Sequence, residues 1–324
     1  MPFTILYPEA LYPDDSVERE VYGPEVRVVM RATTKLAELS DADCAATDGL
    51  MILRQTVQPP DYVRFKQLRA VVRMGVGYDR IDRKAAAAHN VMVCNVPDYG
   101  TTEVADHTMA LVLALRRGLL LYHEAQRQKQ PGWRHVETAM IQRLGEQRFG
   151  IVGMGRIGAA VARRARGFGL QVHYHNRRPV LPDLERELDA TYWESLDQML
   201  SRMDVISVNC PHTPATYHLL SARRIRLLRP DAILVNTARG EVIDEAALTA
   251  ALAERAIAGA GLDVYEHEPG VPAKLLELDN VVLLPHIGSA TNEGRLAMGE
   301  RVIINIKSFV DGHKPPDRVF EQML

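Results

Sequence analysis

The sequence predicts an α/β protein with two parallel, doubly wound β-sheets. Short apolar runs alternate with helix-length segments along most of the 324 residues, and the series starts again near the middle of the chain. At roughly 150 residues per domain, this length also predicts about two domains. Apolar residues make up 47% and charged residues 25%, which is the composition of a globular protein and a poor match to a disordered one.

The first series of apolar runs predicts five strands. They cover residues 3–7, 26–30, 49–53, 70–74 and 91–96. Helical spacing over residues 59–68 and 79–89 separates strands in this series, so right-handed crossovers would make the strands parallel. This half resembles a flavodoxin-like domain.

The first series of strands ends in the segment Asn95-Val96-Pro97-Asp98-Tyr99-Gly100. Thr101 or Thr102 can cap a long helix that runs from Glu103 towards Gln130. A second series of six strands follows, near residues 149–152, 171–175, 205–208, 232–236, 259–262 and 281–284.

An amphipathic run over residues 295–310 follows the last of these strands, and we expect it to pack back on the first domain. The prediction is one domain of residues 1–98 and 289–324, with a second domain of residues 99–288 inserted in it. Hinges near residues 98 and 288 would leave a cleft between the two.

Charge and targeting signals exclude several classes of function. Lys plus Arg total 39 and Asp plus Glu total 41, so the formal net charge of −2 gives no broad attraction to nucleic acid or to an anionic membrane. The N-terminus lacks a basic segment followed by an apolar one, and arginines interrupt the most apolar helical stretch, 109–121. The three cysteines form no CxxC motif and fit a reducing compartment. We therefore expect a soluble, cytoplasmic protein.

A glycine-rich motif follows the first strand of the second series. Its residues are Gly153-Met154-Gly155-Arg156-Ile157-Gly158, and an alanine-rich helix comes next. Gly153 would permit a tight turn, Gly155 the approach of the backbone to a pyrophosphate, and Gly158 close packing of helix on strand. Because the motif lies between a strand and a helix, it predicts that residues 99–288 form a Rossmann domain that binds a dinucleotide.

The next strand end indicates which dinucleotide binds. A site for NAD places an acidic residue there to bind the ribose 2′-hydroxyl. This strand instead ends in Asn176-Arg177-Arg178-Pro179. Two guanidinium groups can form charge-assisted hydrogen bonds with a 2′-phosphate, so the sequence favours NADP(H) and leaves NAD(H) open. The alternative is a solvated basic loop.

Three later strand ends carry polar residues in apolar surroundings: Arg239, Glu268 and His286. Ligands of open α/β sheets bind beyond the carboxyl ends of strands. Hydride reduction of a 2-keto acid needs a proton donor and a cation for the carboxylate. His286 would donate the proton, Glu268 would fix its tautomer and raise its pKa, and Arg239 would bind the carboxylate and polarise the carbonyl. The alternatives are a structural histidine, a surface turn at Arg239 and a loop at Glu268.

No metal site is assigned. His173 and His175 alternate on one strand, but no third ligand accompanies them at a suitable spacing. The reduction needs no metal when Arg239 supplies the charge. His212 and Trp133 could approach a substrate, but solvated or interface roles are favoured.

With these motifs together, the chain resembles the D-isomer-specific 2-hydroxyacid dehydrogenases over nearly its whole length. The resemblance is carried, in family order, by the Gly-Val-Gly loop in residues 73–79, Val104-Ala105-Asp106, the glycine motif, Thr237-Ala238-Arg239-Gly240, Glu268-Pro269 and His286. It implies a dehydrogenase dependent on NAD(P), with Arg239, Glu268 and His286 as its catalytic residues.

The resemblance also implies a set of binding residues. Backbone N–H groups of Val76 and Gly77 would hold the substrate carboxylate from the first, substrate-binding domain, and closure of the cleft would assemble the site. Ser289 would lie beside the substrate. The cofactor would be lined by residues 153–158, Asn176, Arg177, Arg178, Pro211, Thr237, Asp263 and Gly288. Homodimers would form through the nucleotide-binding domain and its long helix, residues 103–130.

Within the family, three features look most like NADPH-dependent glyoxylate and hydroxypyruvate reductases. They are the Asn-Arg-Arg-Pro strand end, the Gly-Val-Gly loop and Cys210-Pro211-His212-Thr213-Pro214. The expected reaction transfers a hydride from NADPH to a small 2-keto acid and gives the D-2-hydroxy acid. Residues 95–103 also resemble relatives of 3-phosphoglycerate dehydrogenase and of the carboxy-terminal-binding corepressors. An NAD-dependent 3-phosphoglycerate enzyme and a dinucleotide-binding protein without turnover are therefore the alternatives.

Overall fold

The computed structural model describes residues 2–9, 14–128 and 137–323 of the chain. The strands within these ranges are β1 (Phe3–Tyr7), β2 (Val26–Met30), β3 (Gly49–Ile52), β4 (Ala70–Arg73), β5 (Met92–Cys94), β6 (Arg148–Val152), β7 (Gln171–His175), β8 (Thr191–Tyr192), β9 (Val205–Val208), β10 (Ile233–Asn236), β11 (Gly259–Leu262) and β12 (Val281–Leu283). The α-helices there are α1 (Ser16–Tyr22), α2 (Asp41–Ala46), α3 (Pro59–Arg64), α4 (Arg83–Ala88), α5 (Thr101–Arg116), α6 (Leu119–Arg127), α7 (Arg156–Gly167), α8 (Pro182–Leu188), α9 (Leu196–Leu200), α10 (Ala222–Ile225), α11 (Glu245–Ala253), α12 (Ala273–Leu276) and α13 (Asn292–Val310). These elements divide between two compact units, one of residues 1–100 and 291–324 and one of residues 101–290.

The first unit is built on a parallel sheet of order β2-β1-β3-β4-β5. This is the strand order of flavodoxin-like folds. On β3, Leu50 and Ile52 join the apolar cluster on one face of the sheet, and Met51 joins the cluster on the other. Burial on both faces is why the strands read as continuous apolar runs in the sequence.

Helix α13 belongs to this first unit. Its side chains Met298, Val302 and Ile306 share an apolar cluster with residues of β1 and β3. The helix begins three residues before the amphipathic run of residues 295–310, because Thr291 caps it by accepting a hydrogen bond from the N–H of Gly294 at 2.9 Å.

The second unit is built on a parallel sheet of order β12-β11-β10-β9-β6-β7-β8. The order reverses between β6 and β9, which is the switch point where such sheets bind ligands. Both sheets are parallel with helical crossovers, so the predicted fold class is confirmed. Strand β8 has no counterpart among the predicted strands, because two residues carry too little apolar pattern to be recognised.

The prediction of one helix from Glu103 towards Gln130 is wrong. Helix α5 ends at Arg116, and α6 begins at Leu119. Gly118 between them has φ +61°, a left-handed conformation that ends a helix, and a Cβ on this residue would lie 2.6 Å from Cδ1 of Ile141. Residues 129 and 130 lie outside the described ranges.

A buried arginine holds the end of α5. The guanidinium of Arg116 donates hydrogen bonds to the carbonyl oxygens of Met140, Asp204 and Asp231, at 3.2, 2.5 and 3.0 Å. The carbonyls of Asp204 and Asp231 lie directly before β9 and β10, so one side chain ties α5 to two strands of the sheet and to the segment around Met140. Within the described ranges, no helix has both the length and the apolar character that crossing a bilayer requires.

Candidate active site

The glycine motif lies at the switch point, where β6 meets the end of β9. Gly153 has φ +102°, and a Cβ on this residue would lie 2.8 Å from the backbone nitrogen of Cys210. A Cβ on Gly158 would lie 2.2 Å from the carbonyl oxygen of Gly153, so a larger residue would push α7 off the strand. Each position therefore requires glycine.

Gly155 differs from the other two glycines, because a Cβ built on it meets no atom within 4 Å. The space beside this backbone is open, and α7 begins at the next residue. The backbone N–H groups at the start of this helix therefore lie beside an open space that an anion could occupy. This geometry fits the pyrophosphate of a dinucleotide.

Asn176 connects the end of β7 to the glycine motif. Its Oδ1 accepts the backbone N–H of Met154 at 2.7 Å, and its carbonyl oxygen accepts a hydrogen bond from the hydroxyl of Tyr192 at 3.2 Å. The next two residues, Arg177 and Arg178, are exposed, and neither forms an ion pair with another described residue. Both guanidinium groups are therefore available to an anion at this strand end.

His286 and Glu268 form a direct pair beyond β12 and β11. Nδ1 of His286 lies 2.9 Å from Oε1 and 3.0 Å from Oε2 of Glu268. The imidazole side chain is 43% exposed, so it can be reached from outside the unit. Because the carboxylate accepts from Nδ1, it orients the ring and leaves Nε2 for a ligand.

A buried carboxylate holds the turn that carries His286. His286 has φ +57°, and the next two backbone N–H groups, those of Ile287 and Gly288, donate to Oδ1 and Oδ2 of Asp263 at 2.9 and 2.8 Å. The left-handed backbone is thus held by a residue that is 1% exposed. A Cβ on Gly288 would lie 3.0 Å from Oδ2 of Asp263, so a larger residue would crowd this carboxylate. Both residues, which the resemblance assigns to the cofactor, support the histidine turn.

His107 on α5 lies beside the same carboxylate, with Nε2 3.3 Å from Oδ1 of Asp263. No sequence motif marks this histidine, although it directly follows the Val104-Ala105-Asp106 segment of the resemblance. Its neighbour Thr108 is buried, and the two hydroxyl oxygens of Thr108 and Thr237 lie 2.8 Å apart. Helix α5 therefore contacts two of the residues that were expected around the cofactor.

Arg239 lies at the end of β10, in a turn that packs against the end of β11. A Cβ on Gly240 would lie 1.9 Å from the carbonyl carbon of Tyr265, so the two backbones touch. The side chain of Asn236 holds the turn, donating to the carbonyl oxygen of Arg239 at 2.8 Å and accepting the N–H of Ala238 at 3.0 Å. Since β10, β11 and β12 are neighbours, the structure places Arg239, Glu268 and His286 at one rim of the sheet.

The remaining expected site residues lie at three places. Pro211 is exposed after β9, and its carbonyl oxygen accepts a hydrogen bond from the hydroxyl of Thr216 at 2.6 Å. Val76 and Gly77 follow β4 in the first unit, where the carbonyl oxygen of Val76 accepts from Nδ2 of Asn95 at 2.7 Å. Ser289 is half-buried in the second unit, three residues after His286. Trp133 lies outside the described residues.

The histidines of β7 have structural contacts. Nε1 of Trp193 donates to Nδ1 of His173 at 3.2 Å, and burial lowers the pKa of this imidazole. Nδ1 of His175 lies 2.9 Å from the carbonyl oxygen of Trp193. Among residues 2–9, 14–128 and 137–323, no cluster of three or more histidine, cysteine or acidic side chains could hold a metal ion.

Comparison with known proteins agrees with this geometry. Residues 109–288 match the family model described as "D-isomer specific 2-hydroxyacid dehydrogenase, NAD binding domain". The glyoxylate reductase of Thermococcus onnurineus is 39% identical over 315 residues, which cover 96% of this chain and 89% of that protein. The glyoxylate reductase of Pyrococcus furiosus is 40% identical over 316 residues, with coverages of 96% and 91%.

A solved structure extends the likeness to the fold of both units. It is that of the NADPH-dependent glyoxylate/hydroxypyruvate reductase from Sinorhizobium meliloti in complex with NADP and malonate, with a TM-score of 0.87 and 35% identity. The match covers 98% of this chain and 97% of that one. The chain belongs to the D-isomer-specific 2-hydroxyacid dehydrogenase family. It is an oxidoreductase whose second unit contains the nicotinamide dinucleotide-binding domain.

Proposed function

We propose that the protein reduces glyoxylate or hydroxypyruvate with NADPH, giving the D-2-hydroxy acid. The observation that carries this proposal is the pairing of Nδ1 of His286 with both carboxylate oxygens of Glu268, at the rim that also holds the turn of Arg239. The names of the Thermococcus, Pyrococcus and Sinorhizobium relatives support this choice of substrate.

The residues of the rim divide the chemistry between them. When bound, the nicotinamide dinucleotide supplies the hydride that forms the new bond at C2 of the keto acid. Arg239 pairs with the substrate carboxylate and polarises the carbonyl. His286, oriented by Glu268, gives the proton of Nε2 to the oxygen that becomes the hydroxyl group. The keto acid gains one hydride and one proton, and NADPH becomes NADP⁺.

The preference for NADPH is part of the proposal. It is supported by the exposed Arg177 and Arg178 at the end of β7, where a dinucleotide on the glycine motif would place its adenosine ribose. Their guanidinium groups suit a 2′-phosphate, because each provides several N–H donors in one plane. We also propose that the backbone N–H groups of Val76 and Gly77 and the side chain of Ser289 bind the keto acid.

We also propose that two copies of the chain form a dimer through the second unit. In the single chain, helix α6 has no buried residue. Leu119 and Leu120 at its start are 54% and 51% exposed. A second copy packed on this helix would remove their apolar surface from water.

The proposed reaction is tested with the purified protein, NADPH and a panel of 2-keto acids, by following the absorbance of the reduced nicotinamide. We expect oxidation of NADPH with glyoxylate and hydroxypyruvate. Absence of oxidation with every keto acid would contradict the proposal and favour a binding protein without turnover. Activity only with NAD and 3-phospho-D-glycerate would assign the other substrate class.

A further inference from the structure

A second polar cluster lies beside the Glu268 strand end. Its members are Tyr217, His218 and Glu266. Nε2 of His218 lies 2.8 Å from Oε1 of Glu266, and the hydroxyl of Tyr217 donates to the same oxygen at 3.2 Å. The two rings stack with their centroids 4.1 Å apart. The side chain of Glu266 is only 14% exposed, and its Oε1 contacts both partners.

The backbone of His218 is strained. Its φ is +46°, in the left-handed region that few residues other than glycine adopt. Its N–H donates to the carbonyl oxygen of Glu241 at 2.9 Å, in the turn that follows Arg239. A strained backbone of this kind persists only where the surrounding contacts hold it, and such positions concentrate at functional sites. His218 thus connects the loop after β9 to the segments after β10 and β11.

Glu266 in turn fixes the backbone that positions Glu268. Its N–H donates to Oε2 of Glu245 on α11 at 3.1 Å, while the backbone of Tyr265 packs against Gly240. The N–H of Tyr265 forms a long hydrogen bond of 3.4 Å to Oε1 of Glu268. This is the oxygen that lies 2.9 Å from Nδ1 of His286. A continuous set of contacts therefore runs from His218 to the imidazole at the rim.

We propose that His218 and Glu266 are positioning residues for the reduction. Their pairing holds residues 265–266 in place, and these residues hold the carboxylate of Glu268 against His286. This role rests on the proposed function, because it needs His286 to act as the proton donor. The side chain of Asn236 also holds the turn of Arg239, and the backbone N–H of residue 218, which donates to Glu241, is kept in every variant. Loss of the pair should therefore lower kcat and leave the KM for the keto acid nearly unchanged.

The test uses substitutions on each side of the pair. His218→Gly removes the ring and accepts the left-handed backbone without strain. Glu266→Ala removes the carboxylate, and Glu266→Gln keeps an oxygen that can accept from His218. Glu187→Ala is the matched control, because it removes the exposed ion pair between Arg163 and Glu187 in the same unit.

We expect kcat to fall about tenfold for His218→Gly and for Glu266→Ala, since small misplacements of catalytic groups have effects of this size or larger. Glu266→Gln should recover most of the loss, and Glu187→Ala should match the wild type. The double variant should be no slower than either single variant, because the two residues act as a unit. Thermal unfolding of each variant checks that it is folded, and His218→Gly keeps the test open if Glu266→Ala unfolds.

Three results would overturn the proposal: a kcat within twofold of wild type for both single variants, losses that multiply in the double variant, or a rise in the keto acid KM that accounts for the whole loss. A wild-type protein without turnover would instead refute the proposed function. In that case the positioning role is tested by the nitrogen chemical shifts of the His286 ring. Glu266→Ala should change the tautomer ratio of this ring, and Glu187→Ala should not. Unchanged shifts would again overturn the positioning role.

Discussion

One imidazole nitrogen of His286 is placed almost equally between the two carboxylate oxygens of Glu268, at 2.9 and 3.0 Å. Both oxygens lie within hydrogen-bonding distance of this nitrogen. The position of the carboxylate therefore sets the orientation of the imidazole ring.

Replacing the imidazole should remove the proton donor. For His286→Gln we expect kcat for glyoxylate to fall about 10²–10⁴-fold, the usual contribution of a general acid. Binding of NADPH, measured by fluorescence titration, should stay near the wild-type value. His313→Gln, at an exposed histidine of the first unit, is the control. Undiminished reduction by His286→Gln would refute the assignment.

Replacing both Arg177 and Arg178 by alanine should change which cofactor is used. We expect the KM for NADPH to rise by about tenfold or more, since each lost charge-assisted hydrogen bond to the 2′-phosphate weakens binding. The KM for NADH should change little. Arg226→Ala removes an exposed guanidinium elsewhere in the same unit and serves as the control. An unchanged ratio of the two KM values would count against a 2′-phosphate site.

Replacing the buried Arg116 should destabilise the second unit. Burial lowers the pKa of Arg116 to about 10, so the guanidinium stays charged at neutral pH. Arg116→Met would leave one buried and two partly buried carbonyl oxygens without this donor, and we expect the free energy of unfolding in urea to fall by about 3–5 kcal/mol. The neighbouring Arg117 is exposed, so Arg117→Met should change the free energy of unfolding by less than about 0.5 kcal/mol. Equal effects of the two variants would show that burial of Arg116 contributes nothing.

His173 should make stability fall in mild acid. Burial lowers its pKa in the folded protein, so between about pH 6.5 and the lower folded value the unfolded chain binds the proton more strongly. The contribution of the neutral His173 to the free energy of unfolding is therefore fully present above about pH 6.5 and is lost as the pH falls. Urea unfolding across this range should show a weaker pH dependence for His173→Gln than for the wild type. His313→Gln should keep the full dependence, and parallel curves for all three proteins would exclude His173 as the cause.

Charges on α6 should prevent the proposed dimer. We expect the double variant Leu119→Glu with Leu120→Glu to be monomeric in light scattering after gel filtration, while the wild type has twice that mass. Two carboxylates buried in an apolar interface would cost more than the contact contributes. Leu276→Glu, at a leucine of α12 that is also exposed, should stay dimeric. A monomeric wild type would refute the dimer itself.

Much of the fold could be predicted because its signals are local. The glycine motif between β6 and α7 and the apolar runs of the strands each depend on residues that are close in the chain. The helix break at Gly118 has a local signal that the prediction of one long helix overlooks, since a glycine that follows basic residues is typical of a helix end. What ends α5 there is the set of distant carbonyl oxygens bound by Arg116 and the close approach of Ile141.

The sequence by itself determined the strands other than β8, the dinucleotide motif and the chemical types of the three candidate catalytic residues, since periodicity and residue type depend on neighbouring positions. The tertiary structure decided which other side chains hold the candidate catalytic residues in place. The buried Asp263 holds the turn of His286, and His218 pairs with Glu266, which lies 48 residues further along the chain. Contacts of this kind depend on how strands and loops converge at one rim of a sheet, which no local pattern of residues encodes.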